Sequence, residues 1–227
     1  MIQALLVGVV AQSSLLLASL VVYRLRISDR FVGHLAGLGS GALLAAASFQ
    51  LVPEAQASLD NLELGVWLLV GGAVFVVADA IVERRFGESG AMGIVVGNIA
   101  DALPESLIFG IQMAAGLVSP ALAVSVWVSN IPQALPPAAD LRASGWPVRR
   151  QMLLWGSVVV AAGLFAAAGY GIAEVMSDAD GARLAAFTTG ALLTMLTTSM
   201  IPFAYQKGRV AAGVWAVVGF GLTLAAS

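Results

Sequence analysis

Three side chains that could bind a cation lie on one face of a single apolar stretch of the sequence. Asn98, Asp101 and Glu105 occupy positions i, i+3 and i+7, the spacing that aligns side chains along one face of a helix. A carboxylate inside a bilayer is costly, so these two acids are either protonated or neutralised by a bound cation. They are therefore the first candidates for a cation-binding site.

The next apolar stretch carries amides in a similar pattern. Asn130 and Gln133 lie at positions i and i+3, and Pro104, Pro132 and nearby prolines interrupt both stretches. A proline inside a helix frees the carbonyl four residues earlier, and such backbone survives in a membrane only inside protein or beside a wet cavity. Taken alone, Asn98 or Asn130 is more simply explained as a residue that hydrogen-bonds a neighbouring helix without binding a ligand.

Carboxylate, amide and carbonyl oxygens together suit hard or borderline divalent cations. The two stretches, facing each other, therefore predict an oxygen-rich metal site. Its predicted ligands are Asn98, Asp101, Glu105, Asn130 and Gln133. Gln50 could face the same pathway, and Glu54 could attract cations at its mouth or simply be an exposed acid.

The rest of the chain consists of apolar segments that must position these residues. Of 227 residues, 59% are apolar and 11% charged, against about 45–50% and about 25% in soluble domains. We therefore expect an all-α polytopic membrane protein whose surroundings are the lipid bilayer, and no nucleic-acid partner. There is no nucleophile–base pair and no cofactor motif, so we expect neither an enzyme nor a resident cofactor.

Charge clusters and turn residues divide the chain into eight apolar stretches, each of about 20 residues, the length of a membrane span. No soluble domain is left over, so residues 1–227 are predicted to form a single transmembrane domain. The predicted helices run at about 2–23, 32–52, 62–82, 91–115, 119–139, 150–173, 182–203 and 208–226.

The distribution of basic residues predicts the orientation in the membrane. With both termini outside, ten of the eleven Lys and Arg residues fall on the inner side, and only Arg183 lies outside. Basic residues favour the cytoplasmic side of short loops. We therefore expect a multi-pass protein of the cell membrane with both termini outside.

Two similar segments suggest an internal repeat. The second stretch ends in Gln50-Leu51-Val52-Pro53-Glu54-Ala55, and the seventh ends in Ser199-Met200-Ile201-Pro202-Phe203-Ala204. They are expected on opposite sides of the membrane, as an inverted three-helix repeat would place them. Such a repeat leaves the fourth and fifth stretches as a separate pair.

This layout and two short motifs resemble the ZIP (Zrt/Irt-like) family of divalent-metal transporters. That family carries His-Asn-x-x-Asp/Glu-Gly in its fourth span, where this chain has Gly97-Asn98-Ile99-Ala100-Asp101-Ala102. Its fifth span carries His-Glu-x-Pro-His-Glu, where this chain has Ser129-Asn130-Ile131-Pro132-Gln133-Ala134. Asn98, Asp101 and Pro132 match the motifs, while every histidine ligand is replaced.

The resemblance implies eight helices in a 3+2+3 inverted-repeat arrangement, a metal site between helices four and five, and a homodimer. It also implies transport of a divalent metal cation such as zinc, manganese or iron by alternating access. An all-oxygen site favours manganese, iron or magnesium over zinc. The alternatives are a protein of this fold that carries another polar solute or protons, and a non-transporting membrane binding protein.

Overall fold

The computed structural model describes residues 1–25, 27–86, 91–116 and 120–226, while the side chains of residues 86, 91–96 and 98 lie outside the description. All regular secondary structure in these ranges is helical, which confirms the all-α class. Eight helical segments follow one another with short connections. They are α1 (Ile2–Arg24), α2 (Asp29–Gln56), α3 (Asn61–Phe86), α4 (Ala91–Ala114), α5 (Pro120–Ala143), α6 (Val148–Glu174), α7 (Asp178–Gly208) and α8 (Val210–Ala226).

Five of these helices, α1, α2, α3, α6 and α7, are long and apolar enough to cross a membrane. They differ in how much of their surface the protein covers. In the most apolar stretch of α2, 61% of the residues are buried, against 17% in α3. A helix that leaves its leucines and valines uncovered needs an apolar surrounding, which suits a multi-pass membrane protein.

Helices α2 and α7 begin earlier than the apolar stretches predicted from sequence, at Asp29 and Asp178. In each case a serine caps the first turn: Ser28 accepts a hydrogen bond from the Phe31 backbone N–H, and Ser177 accepts one from that of Asp180. These serines satisfy donors that the helix itself leaves free. The charged residues that bound the apolar stretches are thus still helical.

The same interhelical contact occurs twice in the molecule. Where α2 meets α8, a Cβ added to Gly41 would lie 1.8 Å from the Ala216 carbonyl oxygen, and one on Gly219 would lie 1.9 Å from that of Leu38. Where α7 meets α3, Gly190 faces the carbonyl of Leu68 and Gly71 faces that of Phe187 in the same way. Only glycine permits backbones to approach so closely.

A π-helical turn interrupts both α2 and α7. These turns span Ala47–Leu51 and Leu196–Met200, and each is followed at its second residue by a proline, Pro53 or Pro202. The serine caps, the glycine contacts and the π-turns of α2 and α7 are separated along the chain by the same number of residues. The two segments that look alike in sequence therefore have the same backbone geometry.

The middle helices, α4 and α5, are held by close packing against the others. Gly110 of α4 lies against the Ala166 carbonyl of α6, and Gly169 of α6 lies against that of Leu107. Gly39 of α2 faces the backbone of Ser129 in α5, where an added Cβ would be 2.6 Å from Cα. These contacts fix the positions of α4 and α5, and of their polar residues, along the axis of the helix bundle.

Candidate cation-binding site

A buried polar network links three helices near the middle of the bundle. The Gln12 Nε2 of α1 donates to Glu105 Oε2 of α4 at 2.8 Å, and the Asn130 Nδ2 of α5 donates to Gln12 Oε1 at 2.7 Å. All three side chains are buried, with exposed fractions of 0%, 2% and 2% respectively. The structure thus brings two of the predicted ligands, Glu105 and Asn130, into one network.

Glu105 has unused binding capacity. Its Oε1 atom is buried and has no hydrogen-bond partner among the described residues. Within the described side chains, no Lys, Arg or His forms an ion pair with it. A buried carboxylate is costly unless it is protonated or compensated by a cation. This carboxyl group can therefore hold a proton or ligate a cation through its free oxygen.

Local backbone features place the three side chains. Helical hydrogen bonding in α1 is interrupted at Ser13, directly after Gln12, and Trp127 of α5 donates to the Ser13 hydroxyl at 3.3 Å. In α4, Pro104 precedes Glu105 and removes one backbone donor from the helix. Backbone irregularities of this kind often lie at functional sites because they redirect side chains.

The other predicted ligands are distributed around this network. Asp101 lies one turn before Glu105 on α4 and is partly exposed; the two carboxyl groups are close enough to interact, and Asp79 of α3 adds a further negative charge near Asp101. Gln133 lies one turn beyond Asn130 on α5 and is also partly exposed. The predicted ligand Asn98 lies in α4, but its side chain falls outside the described residues.

Sequence reasoning missed Gln12, which contacts both Glu105 and Asn130. The sequence signal was weak, because Gln12 and Gln3 are two amides in one mostly apolar stretch and only the structure shows that Gln12 is buried. Among the described side chains, no group of three or more His, Cys, Asp or Glu is placed to hold a metal ion. Any metal bound here would therefore rely on amide and carbonyl oxygens in addition to the carboxylates.

Cavities lie at both ends of the bundle. One of about 660 Å³ lies where α2 and α4 end and α7 begins, and Glu54 and Gln112 are among its lining residues; we call it the vestibule. Another of about 380 Å³ lies at the opposite end, between α1, α2 and α5, and includes Asp29 and Arg142. The Gln12–Glu105–Asn130 network lies between these two ends along α1, α4 and α5.

The buried network thus lies between two cavities, one at each end of the bundle. Comparison with known proteins adds nothing to this: no protein-family model matches the chain, and no curated protein matches it.

Proposed function

We propose that this chain carries divalent metal cations across the cell membrane by alternating access, with Glu105 at the transport site. The observation that supports this most is the buried Glu105 carboxyl group, which has a free oxygen and no basic partner among the described side chains. Ionisable residues at this depth in a membrane protein are expensive and characteristic of ion pathways. Cavities at both ends of the bundle would give access from either side.

In this proposal the eight helices all span the membrane, in the 3+2+3 inverted-repeat arrangement with both termini outside. The repeated glycine contacts and π-turns support two related groups, α1–α3 and α6–α8, around the pair α4 and α5. The distribution of Lys and Arg supports the orientation. Related halves packed around a central site are a common plan of secondary transporters.

Each site residue has a separate role in the proposal. Glu105 is the anionic ligand, and Asp101 supplies a second negative charge one turn away. Asn130 and Gln12 are neutral groups that orient the carboxylate and can turn their amide oxygens toward a cation. Asn98 and Gln133 complete the ligand set proposed from sequence. With oxygen ligands alone, manganese, iron(II) and magnesium are favoured over zinc.

Uptake of metal ions into proteoliposomes tests the proposal. Manganese, iron(II), zinc, cadmium and magnesium would be offered to wild-type protein, Glu105→Gln and Asp101→Asn. We expect Glu105→Gln to abolish uptake, because an amide keeps the shape but removes the charge. Glu174→Gln is the matched control, since Glu174 is exposed and contacts only Tyr170 among the hydrogen-bonding groups described. Unchanged uptake by Glu105→Gln would contradict the proposal.

Proton movement is a second candidate function. The lack of a group of three ligating side chains among those described, together with a buried Glu105 carboxyl group that can take up and release a proton, favours it. A pH-sensitive dye inside the same vesicles separates the two functions. Acidification that requires Glu105 but no metal would identify a proton carrier, whereas metal uptake that requires Glu105 supports the first proposal.

A further inference from the structure

The vestibule has the composition of a cation-binding cavity. Its described lining includes the acidic residues Glu54 and Asp178 and the amides Gln50 and Gln112, but no Lys or Arg. A cavity lined by charges of one sign and low-dielectric walls concentrates ions of the opposite sign. The electrostatic field in the vestibule therefore favours cations over anions.

Two amide side chains of the vestibule are left with unused hydrogen-bonding atoms. Neither Gln50 Oε1 nor Nε2 has a partner among the described residues, although both atoms are buried. Gln112 is 3% exposed; its Nε2 donates to Glu54 Oε2 at 3.3 Å, while its Oε1 is buried without a partner. Buried polar atoms are usually paired, so the two unpaired oxygens around this cavity, Gln50 Oε1 and Gln112 Oε1, indicate a ligand that completes them.

The backbone places these groups around one cavity. Gln50 lies in the π-turn Ala47–Leu51, which displaces its side chain from the ordinary helical position, and Glu54 follows one turn later. Gln112 lies at i+7 from Glu105, so it occupies the same face of α4 two turns nearer the end. The vestibule and the proposed transport site are thus joined along one helix face.

We propose that Glu54, Gln50 and Gln112 form a second cation-binding site, which holds a hydrated divalent cation before it passes to Glu105. One carboxylate and two amide oxygens are ligands for a hard cation, and a cavity of about 660 Å³ leaves room for its water shell. The order of events, vestibule first and Glu105 second, rests on the proposed transport function. Binding in the vestibule does not depend on transport.

The contact between Gln112 and Glu54, at 3.3 Å, could serve only to join α2 to α4. That role would leave the unpaired atoms of Gln50 and Gln112 unexplained. Gln50 takes no part in that contact, yet it lines the same cavity and both of its polar atoms are buried without a partner. A cation bridging the carboxylate and the two amide oxygens accounts for the unpaired oxygens, and a water molecule of its shell can accept from Gln50 Nε2. The binding site and the helix contact are distinguished by whether Mn²⁺ binding depends on Gln50 as well as Glu54.

Mn²⁺ binding to the purified full-length protein, followed by the electron paramagnetic resonance signal of free Mn²⁺, tests the site. The Glu105→Gln protein serves as the background, because it disables the transport site and leaves the vestibule intact. We expect this protein to bind Mn²⁺, and both added changes, Glu54→Gln and Gln50→Leu, to weaken binding, the first by about tenfold because it removes the charged ligand.

Added Glu83→Gln is the matched control, since Glu83 is exposed and lies at the far end of α3 from the vestibule. Thermal unfolding of each variant in detergent establishes that it is folded. Absence of Mn²⁺ binding in the Glu105→Gln background, or binding that Glu54→Gln and Gln50→Leu leave unchanged, overturns the site. Loss of binding with Glu54→Gln but not Gln50→Leu also overturns the three-ligand arrangement.

Uptake measurements separate this inference from the transport proposal. With an intact Glu105, Glu54→Gln should raise the Mn²⁺ concentration for half-maximal uptake and leave the maximal rate nearly unchanged. If the wild-type protein transports nothing but the vestibule binds Mn²⁺, the transport proposal fails and the binding site stands. If uptake requires Glu105 and Glu54→Gln changes neither quantity, the vestibule site fails and the transport proposal stands.

Discussion

Helices α2 and α7 share a backbone geometry but differ in chemistry. Each has a serine cap, a π-turn before a proline and a reciprocal glycine contact with another helix, which is α8 for α2 and α3 for α7. The polar side chains are not repeated: at the positions in α7 that correspond to Gln50 and Glu54 in α2, the chain has Ser199 and Phe203. The packing is therefore symmetric, while the candidate binding groups come from α1, α2 and the middle helices.

The largest effect on stability is expected at the reciprocal glycine contacts, where α2 and α7 are most alike. Gly41→Ala and Gly190→Ala would each place a methyl group against a backbone carbonyl, at 1.8 Å and 2.0 Å before relaxation. Since backbones must separate to admit it, we expect each change to lower the free energy of unfolding by about 3 kcal/mol, the upper part of the range for overpacking. Thermal unfolding in detergent, followed by circular dichroism, measures both.

The control for this pair is Gly213→Ala in α8, where an added Cβ meets nothing within 4 Å. Alanine is a better helix former than glycine, so this change should be neutral or slightly stabilising. If Gly41→Ala is strongly destabilising and Gly190→Ala is not, the two contacts are alike in geometry but contribute differently to stability. Helices α2 and α7 would then not be equivalent.

The next effect compares two buried glutamines, Gln12 of α1 and Gln151 of α6. Gln12→Leu in α1 would leave Glu105 without its donor and Asn130 without its acceptor, which should cost about 2 kcal/mol of folding free energy. The buried Gln151 of α6 provides the matched change, because its Nε2 donates only to the Ala138 carbonyl at 3.0 Å. We expect Gln12→Leu to reduce metal uptake and Gln151→Leu to leave it unchanged at equal protein content.

A double variant tests whether Gln12 acts through Glu105. Gln12→Leu combined with Glu105→Leu removes both partners of the hydrogen bond, so the double variant should lose less folding free energy than the sum of the two single losses. Uptake should remain absent, because the anionic ligand is gone. If the two losses of stability simply add, Gln12 and Glu105 do not interact energetically and the network has no part in the site.

Hydropathy and helical spacing were enough to predict the all-helical class, and to select Glu105 of α4 and Asn130 of α5, which the structure links through Gln12. They were enough also to pair the ends of α2 and α7, because a proline after a hydrophobic residue leaves a recognisable pattern. They could not assign Gln12 a role, because Gln3 is a second amide in the same span and only the fold shows which of the two contacts Glu105. Neither could they predict the π-turns, since each has only five residues, too few for the wider spacing of a π-helix to appear in the pattern of apolar residues.

The smallest expected effect compares the two serine caps, which look equivalent but differ in detail. Ser28 makes one capping bond, to the Phe31 N–H at 3.3 Å, whereas Ser177 accepts from the Asp180 N–H at 3.2 Å and also donates to its carboxylate at 2.7 Å. Replacing a cap by alanine costs about 1 kcal/mol. We expect Ser177→Ala to lower the midpoint of thermal unfolding more than Ser28→Ala, and threonine to restore most of the loss at both positions. Equal losses would mean that the carboxylate contact contributes nothing, and that the two helix starts are equivalent in energy as well as in backbone geometry.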